Sequence, residues 1–205
     1  MKDLGIYIHI PFCEKICSYC DFCKLLYNDK NKKFNKCFTC IFNDVFYDAI
    51  SSFKGASRRL ELMFENKEKN NMVFRDFAHA PSKVLATVKA LREQYSERFL
   101  LVVFELHTYS SLSEVFIDHY KNCLDNCDKA VVFYDPHAVA IKKLDMMSDD
   151  RIVEGFGRKD IQVVHSKEEL MNVLNDVKKE NVAAGFMSSG DFNGLTKEDL
   201  MTMFN

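Results

Sequence analysis

The sequence predicts an α/β fold built on a mostly parallel, doubly wound (Rossmann-like) sheet. Three observations carry this. From residue 44 onward, short apolar runs alternate with segments of helical period. The run "FLLVVFE" (99–105) is apolar throughout, as a strand covered on both faces would be. Polar loops follow the apolar runs, "RDFAHAP", "ELHTYSS", "YDPHA" and "SSGDFNG", and such sheets gather ligands beyond the C-terminal ends of their strands.

The elements follow in order. "DVFYDAISSF" (44–53) reads as a helix ended by the turn at Gly55. "RRLELMFE" (58–65) alternates in part and "MVFRDF" (72–77) follows a charged turn, so both read as strands. Pro81 opens a helix with Val84, Val88 and Leu91 on its apolar face, since proline is tolerated where its missing N–H would be unpaired anyway. After the strand 99–105, a helix is expected to carry Phe116, Tyr120, Cys123, Leu124 and Cys127 on one side, with both cysteines as buried thiols. "KAVVFY" (129–134) is the next strand, followed by an irregular stretch and a short helix near 149–156. "GFGRKD" (155–160) follows no strand and reads as a turn rather than a dinucleotide loop. "IQVVH" (161–165) is a strand. Ser166 and Glu169 then make a capping-box pattern for a helix bearing Leu170, Val173, Leu174 and Val177. "NVAAGFM" (181–187) is the last strand, and Thr196 with Asp199 starts the last helix.

Residues 1–43 differ in composition, being rich in Cys, Lys, Asn and Phe, with one short strand-like run at 6–10. This places a boundary near Asn43, with a Cys-rich leader before a domain of residues 44–205. Six of the eight cysteines lie between Cys13 and Cys40. Such close spacing in a chain that reads as cytoplasmic points to metal binding rather than disulfides. The net charge of −2 gives no general basic surface for nucleic acid. No apolar run approaches the roughly 20 residues that span a bilayer. The sequence contains neither G-x-x-x-x-G-K-[ST] nor G-x-S-x-G, so it carries no P-loop and no nucleophile elbow.

"SFKGASRRLEL", "RDFAHAPSKVLATVKALRE" and "FELHTYSSLSEVFIDHY", in this order, resemble the C-terminal domain of the Mur ligases over about residues 44–205. The branch they resemble is the UDP-N-acetylmuramate ligases, which add L-alanine or, in the recycling enzyme, an L-alanyl-γ-D-glutamyl-diaminopimelate tripeptide. "SSGDFNG" is most similar to the recycling enzyme's terminal loop. The resemblance implies nucleotide contacts by Arg59, Asp76 and His79, and substrate contacts by His107, Tyr109, Ser110, Ser188, Ser189 and Gly190. It implies ATP and Mg²⁺ as cofactors, with UDP-N-acetylmuramate and the amino acid or peptide as partners. It also implies that this chain alone is inactive, with the ATPase and UDP-binding domains either on another chain or lost from a fused or truncated reading frame. The chain departs from the family's usual His-His-Pro with His79-Ala80-Pro81, and from its His-Arg-Tyr with His107-Thr108-Tyr109.

The leader "IYIHIPFCEKICSYCDF" is similar to the opening of radical SAM enzymes of the oxygen-independent coproporphyrinogen oxidase kind. That resemblance implies a [4Fe–4S] cluster on Cys13, Cys17 and Cys20, but it stops near Lys24, far short of a barrel. Cys20, Cys23, Cys37 and Cys40 form C-x2-C-x13-C-x2-C, close to a zinc-ribbon spacing. Zinc, an iron–sulfur cluster and no metal all remain open. The competing readings of the chain are therefore a radical SAM fragment and a zinc-stabilised binding module.

Overall fold

The computed structural model describes residues 57–205 and the backbone of two short strands, β1 (Phe12–Cys13) and β2 (Leu25–Leu26). The chain divides into two compact units, Met1–Lys54 and Gly55–Asn205. In the first unit β1 and β2 pair in parallel, Phe12 opposite Leu25. The cysteine ligand sets, Cys13, Cys17 and Cys20 or Cys20, Cys23, Cys37 and Cys40, lie outside the described residues save for the backbone of Cys13. The expected helix at 44–53 and the boundary near Asn43 also lie outside them.

The second unit is a six-stranded sheet in the order β3 (Glu61–Asn66), β4 (Asn71–Asp76), β8 (Val182–Met187), β5 (Phe99–Glu105), β6 (Lys129–Phe133), β7 (Gln162–Val164). Only β3 runs antiparallel, hairpinned onto β4 across a register shift between Leu62 and Phe64. The other pairs are parallel.

Strand alternation divides the core into two layers. Leu100, Val102 and Phe104 of β5 face one cluster, with Val84, Val88 and Leu91 of α1 (Pro81–Gln94) and Ile152 and Phe156 of α3 (Asp149–Phe156). Leu101 and Val103 face the other, with Leu170 and Leu174 of α4 (Lys167–Asn175) and Leu200 and Phe204 of α5 (Lys197–Phe204). Apolar residues on both faces explain why "FLLVVFE" lacks alternation.

Local signals account for most element ends. Pro81 occupies the first turn of α1. Thr196 and Asp199 complete a reciprocal capping box. Ser166 caps α4 through the Glu169 N–H, but the Glu169 carboxylate accepts from the N–H of His165, one residue further back than the box pattern implies. The helix α2 (Pro136–Ile141) occupies the stretch read as irregular, and Asp135 caps it by accepting from the His137 N–H.

Two expectations are corrected. The first strand starts at Glu61, not at residue 58, because Arg58 (φ 56°) and Leu60 (φ 46°) hold a left-handed turn. The helix expected through Phe116, Tyr120, Cys123, Leu124 and Cys127 is only one 3₁₀ turn, Ile117–Tyr120, followed by turns. Asn122 at φ 63° interrupts it, with its N–H donating to the Phe156 carbonyl. The apolar spacing was real, since Ile117, Tyr120, Cys123, Leu124 and Cys127 are buried, but turns deliver it. Burial pushes the Cys123 and Cys127 thiols up to about 11.

Asn71, fully buried at the start of β4, fastens the sheet at one end. Its Nδ2 donates to the carbonyls of Lys179 (2.8 Å) and Phe204 (2.9 Å), and its Oδ1 accepts from the Val182 N–H (3.0 Å). Asn71→Leu strands these groups without partners and is expected to cost about 2–4 kcal/mol in denaturant unfolding. A cost under about 1 kcal/mol would show that the groups repair their bonding elsewhere.

His165 links three elements. Its Nδ1 meets the Tyr134 carbonyl at 2.9 Å and its Nε2 meets Asp149 at 3.1 Å. Burial opposes its charge, yet the bonds to Tyr134 and Asp149 outweigh it and hold the pKa above the ordinary value. The folded pKa is raised, so the stabilisation is full below the unfolded pKa and is lost as pH rises through the folded one. The stability gap between wild type and His165→Gln should therefore be wider near about pH 5.5 than near about pH 8.5. Chemical denaturation at the two pH values measures it, and a gap widening toward alkali contradicts the assignment.

Candidate functional site

The chain path creates a crevice at β8. The connections after β4 and β5 both leave to the α1 side, whereas the chain leaving β8 runs to the α5 side. Because β8 lies between β4 and β5, the loops diverge on both of its edges, and such switch points are where open α/β sheets bind ligands. The polar loops after β4, β5 and β8 lie there. The fourth, "YDPHA", follows β6 one strand further out.

On the β4 edge, Asp76 organises the backbone. Its Oδ2 accepts from the Leu60 N–H (2.6 Å), and its Oδ1 accepts from the Ala78 N–H (2.7 Å) and the Thr87 hydroxyl (3.4 Å). Its carbonyl accepts from the Ser188 N–H just past the end of β8, and the Phe77 N–H donates to the Arg58 carbonyl. These bonds over-determine the left-handed turn at 58–60, the condition under which such backbone strain persists. The turn leaves Arg59 exposed, its guanidinium 5.6 Å from the centre of the Phe77 ring. Arg59 has no carboxylate partner among the described residues, so its fork is free for an anion. His79 packs edge-on against Phe77, its Nδ1 2.9 Å from the Phe77 carbonyl, and its own carbonyl accepts from Tyr120 Oη.

On the β5 edge stands a residue that sequence reasoning missed, Glu105. Continuing the alternation of β5 past Val103 turns Glu105 toward the α5 side, where it is only 3% exposed. A buried carboxylate needs donors. The Ser188 hydroxyl donates to its Oε2 in a short bond, the Phe192 N–H donates to the same oxygen at 3.1 Å, and His107 Nδ1 lies 3.3 Å from Oε1. The Gly190 N–H donates to Ser188 Oγ (2.6 Å), and the Gly190 carbonyl accepts from Arg75 (3.2 Å). A Cβ at Gly190 would lie 2.7 Å from His107 Nδ1 and 2.9 Å from Glu105 Oε2, so any larger residue there would push these side chains aside. The signal was a carboxylate closing an otherwise apolar strand.

The expected substrate contacts thus separate. His107, Ser188 and Gly190 converge on Glu105, and the Ser188 hydroxyl is engaged inside the cluster. Ser189 Oγ is enclosed and unpartnered among the described residues. Tyr109 is 65% exposed with Lys142 over its ring, and the exposed Ser110 hydroxyl meets only Thr108. Among the described residues no three His, Cys, Asp or Glu side chains group closely enough to form an all-protein metal site. No described helix is long and apolar enough to cross a membrane.

The family model "Mur ligase, glutamate ligase domain" matches residues 58–189. The chain belongs to the Mur ligase family. The match takes in the 58–60 turn, Asp76, Glu105, His107 and Ser188. Among curated relatives, the UDP-N-acetylmuramate–L-alanine ligase of Fusobacterium nucleatum is 28% identical over 159 residues, covering 74% of this chain and 33% of the relative. That of Clostridium perfringens is 30% identical over 155 residues, 73% of this chain and 33% of the relative. The chain therefore spans about a third of the length of these Mur ligases. Of solved structures, a murein peptide ligase from Psychrobacter arcticus shares the fold at TM-score 0.59 and 22% identity, covering 77% of this chain and 32% of that one. The UDP-N-acetylmuramate–alanine ligase of Thermotoga maritima does so at 0.58 and 21%, covering 77% and 33%.

Asp76→Ala removes the acceptor for two backbone N–H groups beside a strained turn. It is expected to cost about 2–4 kcal/mol in unfolding and to free the amide protons of Leu60 and Ala78 to exchange. Unchanged protection of those two amides would contradict the role given to Asp76.

Proposed function

We propose that this chain provides the C-terminal part of an ATP-dependent ligase that joins the amine of L-alanine, or of an L-alanyl peptide, to UDP-N-acetylmuramate. The observation that carries the reading is that the family match spans the crevice at β8, where loops from three strands converge. The relatives' names supply the substrate class.

In this reading Arg59, with Asp76 and His79 behind it, faces the nucleotide. The fork of Arg59 suits a phosphate of ATP, which when bound would supply a γ-phosphoryl group to the carboxylate, giving an acyl phosphate and releasing ADP. His107, Ser189 and Gly190 lie on the amine side, with Tyr109 and Ser110 at its exposed margin. Without a P-loop motif, the 205-residue chain depends on ATPase and UDP-binding domains from elsewhere.

The test mixes the chain with the remaining two thirds of a relative, truncated before its own C-terminal part. Product from ATP, UDP-N-acetylmuramate and either L-alanine or the L-Ala-γ-D-Glu-diaminopimelate tripeptide is expected only when both pieces are present. Arg59→Ala should slow it by roughly 100-fold. The preferred amine decides the branch. Turnover by the chain alone refutes its dependence on other domains, and no product with either amine refutes the ligase reading.

A further inference from the structure

We propose that Glu105 is a positioning residue that holds His107 as its Nδ1–H tautomer and so presents the Nε2 lone pair to a primary amine of the substrate. The amine half rests on the ligase reading above; the tautomer half does not.

Three observations carry the proposal. First, Glu105 is nearly fully buried, and its Oε2 is occupied by the Ser188 hydroxyl and the Phe192 N–H. That leaves Oε1, which approaches His107 Nδ1 to 3.3 Å in a close contact rather than an aligned hydrogen bond, as the acceptor nearest the ring. An ionised carboxylate can only accept, so the proton belongs on Nδ1. The opposite tautomer would set a nitrogen lone pair against an anionic oxygen. Second, the ring stands beside the Gly190 backbone, where an added Cβ would lie 2.7 Å from Nδ1, so the absence of a side chain at Gly190 leaves the ring its place against Glu105. Third, the His107 side chain is 38% exposed, and Nε2 has no partner among the described residues. An imidazole anchored through Nδ1–H to a carboxylate offers an acceptor at Nε2, and an amine N–H is the matching donor.

Glu105→Gln separates positioning from mere packing. It keeps the shape of the side chain. The Phe192 N–H is a fixed buried donor, so the amide oxygen must take the Oε2 place and the NH2 group must face Nδ1. That donor forces the proton onto His107 Nε2. The full chain, labelled with ¹⁵N, is read by long-range ¹H–¹⁵N correlation at about pH 8, above the ordinary histidine range. The wild type is expected to show protonated Nδ1 and unprotonated Nε2, Glu105→Gln the reverse, and Ser188→Ala the wild-type pattern. A wild-type ring protonated on Nε2, or one unaltered by Glu105→Gln, overturns the proposal.

Titration with L-alanine and with the tripeptide tests the amine half. Either should shift Nε2 in the wild type, and Glu105→Gln should weaken binding by about 10-fold or more. A ring of the proposed tautomer that neither amine perturbs overturns that half. The ligase reading is judged separately, by product formation in the two-piece assay.

Discussion

The sheet cannot close until its last strand arrives. β8 begins at Val182, yet it lies between β4 and β5, which are otherwise joined directly through α1. Every parallel contact of β4 and half of those of β5 wait for this insertion. Non-local pairing of this kind makes loop-closure entropy the main obstacle to folding. The sequence answers with small residues on β8. Ala183, Ala184 and Gly185 allow the helices to press on both faces, and a Cβ at Gly185 would lie 2.7 Å from Leu91 of α1. Asn71 fastens the N-terminal end of β8 by accepting from Val182, and Asp76 fastens its C-terminal end through the Ser188 N–H.

The same insertion makes the site. A strand whose exit loop leaves to the face opposite its neighbours' loops opens a gap on each edge. Two carboxylates stand at those gaps. Asp76 is spent on backbone N–H groups and shapes the turn that carries Arg59. Glu105 is spent on a hydroxyl, a backbone N–H and an imidazole, and it joins the loop after β5 to the loop after β8. Neither is a solvated surface charge. Each compensates its loss of water through several donors, as a carboxylate at low exposure must.

Much of this was legible beforehand. Continuous apolar runs at 99–105 and 181–187 announced the two central strands, and three of the four loops named for chemistry meet at β8. What period alone could not separate was a helix from a chain of turns. The spacing of Phe116, Tyr120, Cys123 and Cys127 fits either, and Arg151 replaces helical order by bonding Asp118 and the Glu114 carbonyl from another element. Glu105 was passed over because a strand-ending carboxylate usually meets water. Its burial follows from Phe192 and Gly190, which are more than eighty residues away in sequence.

The departures from the family pattern bear on how the site works. Thr108 stands where a cationic residue is usual, and it is half-buried and turned into the loop, bonding Ser110 and Ser111. The loop after β5 is therefore braced by hydroxyls rather than by charge. Arg59, in the turn that leads into β3, and His107, beyond β5, each keep a polar end without a partner among the described residues. Arg59 leads into β3, so β4 and β8 both lie between its strand and the strand that His107 follows. At about 4.8 Å per strand spacing, β4 and β5 are roughly 10 Å apart. In the proposed ligase reading, an anion is held at one edge of β8 and a small amine is presented at the other, with β8's loop between them. A fold that places its last strand in the middle of the sheet thereby sets two separately anchored loops on the two edges of that strand.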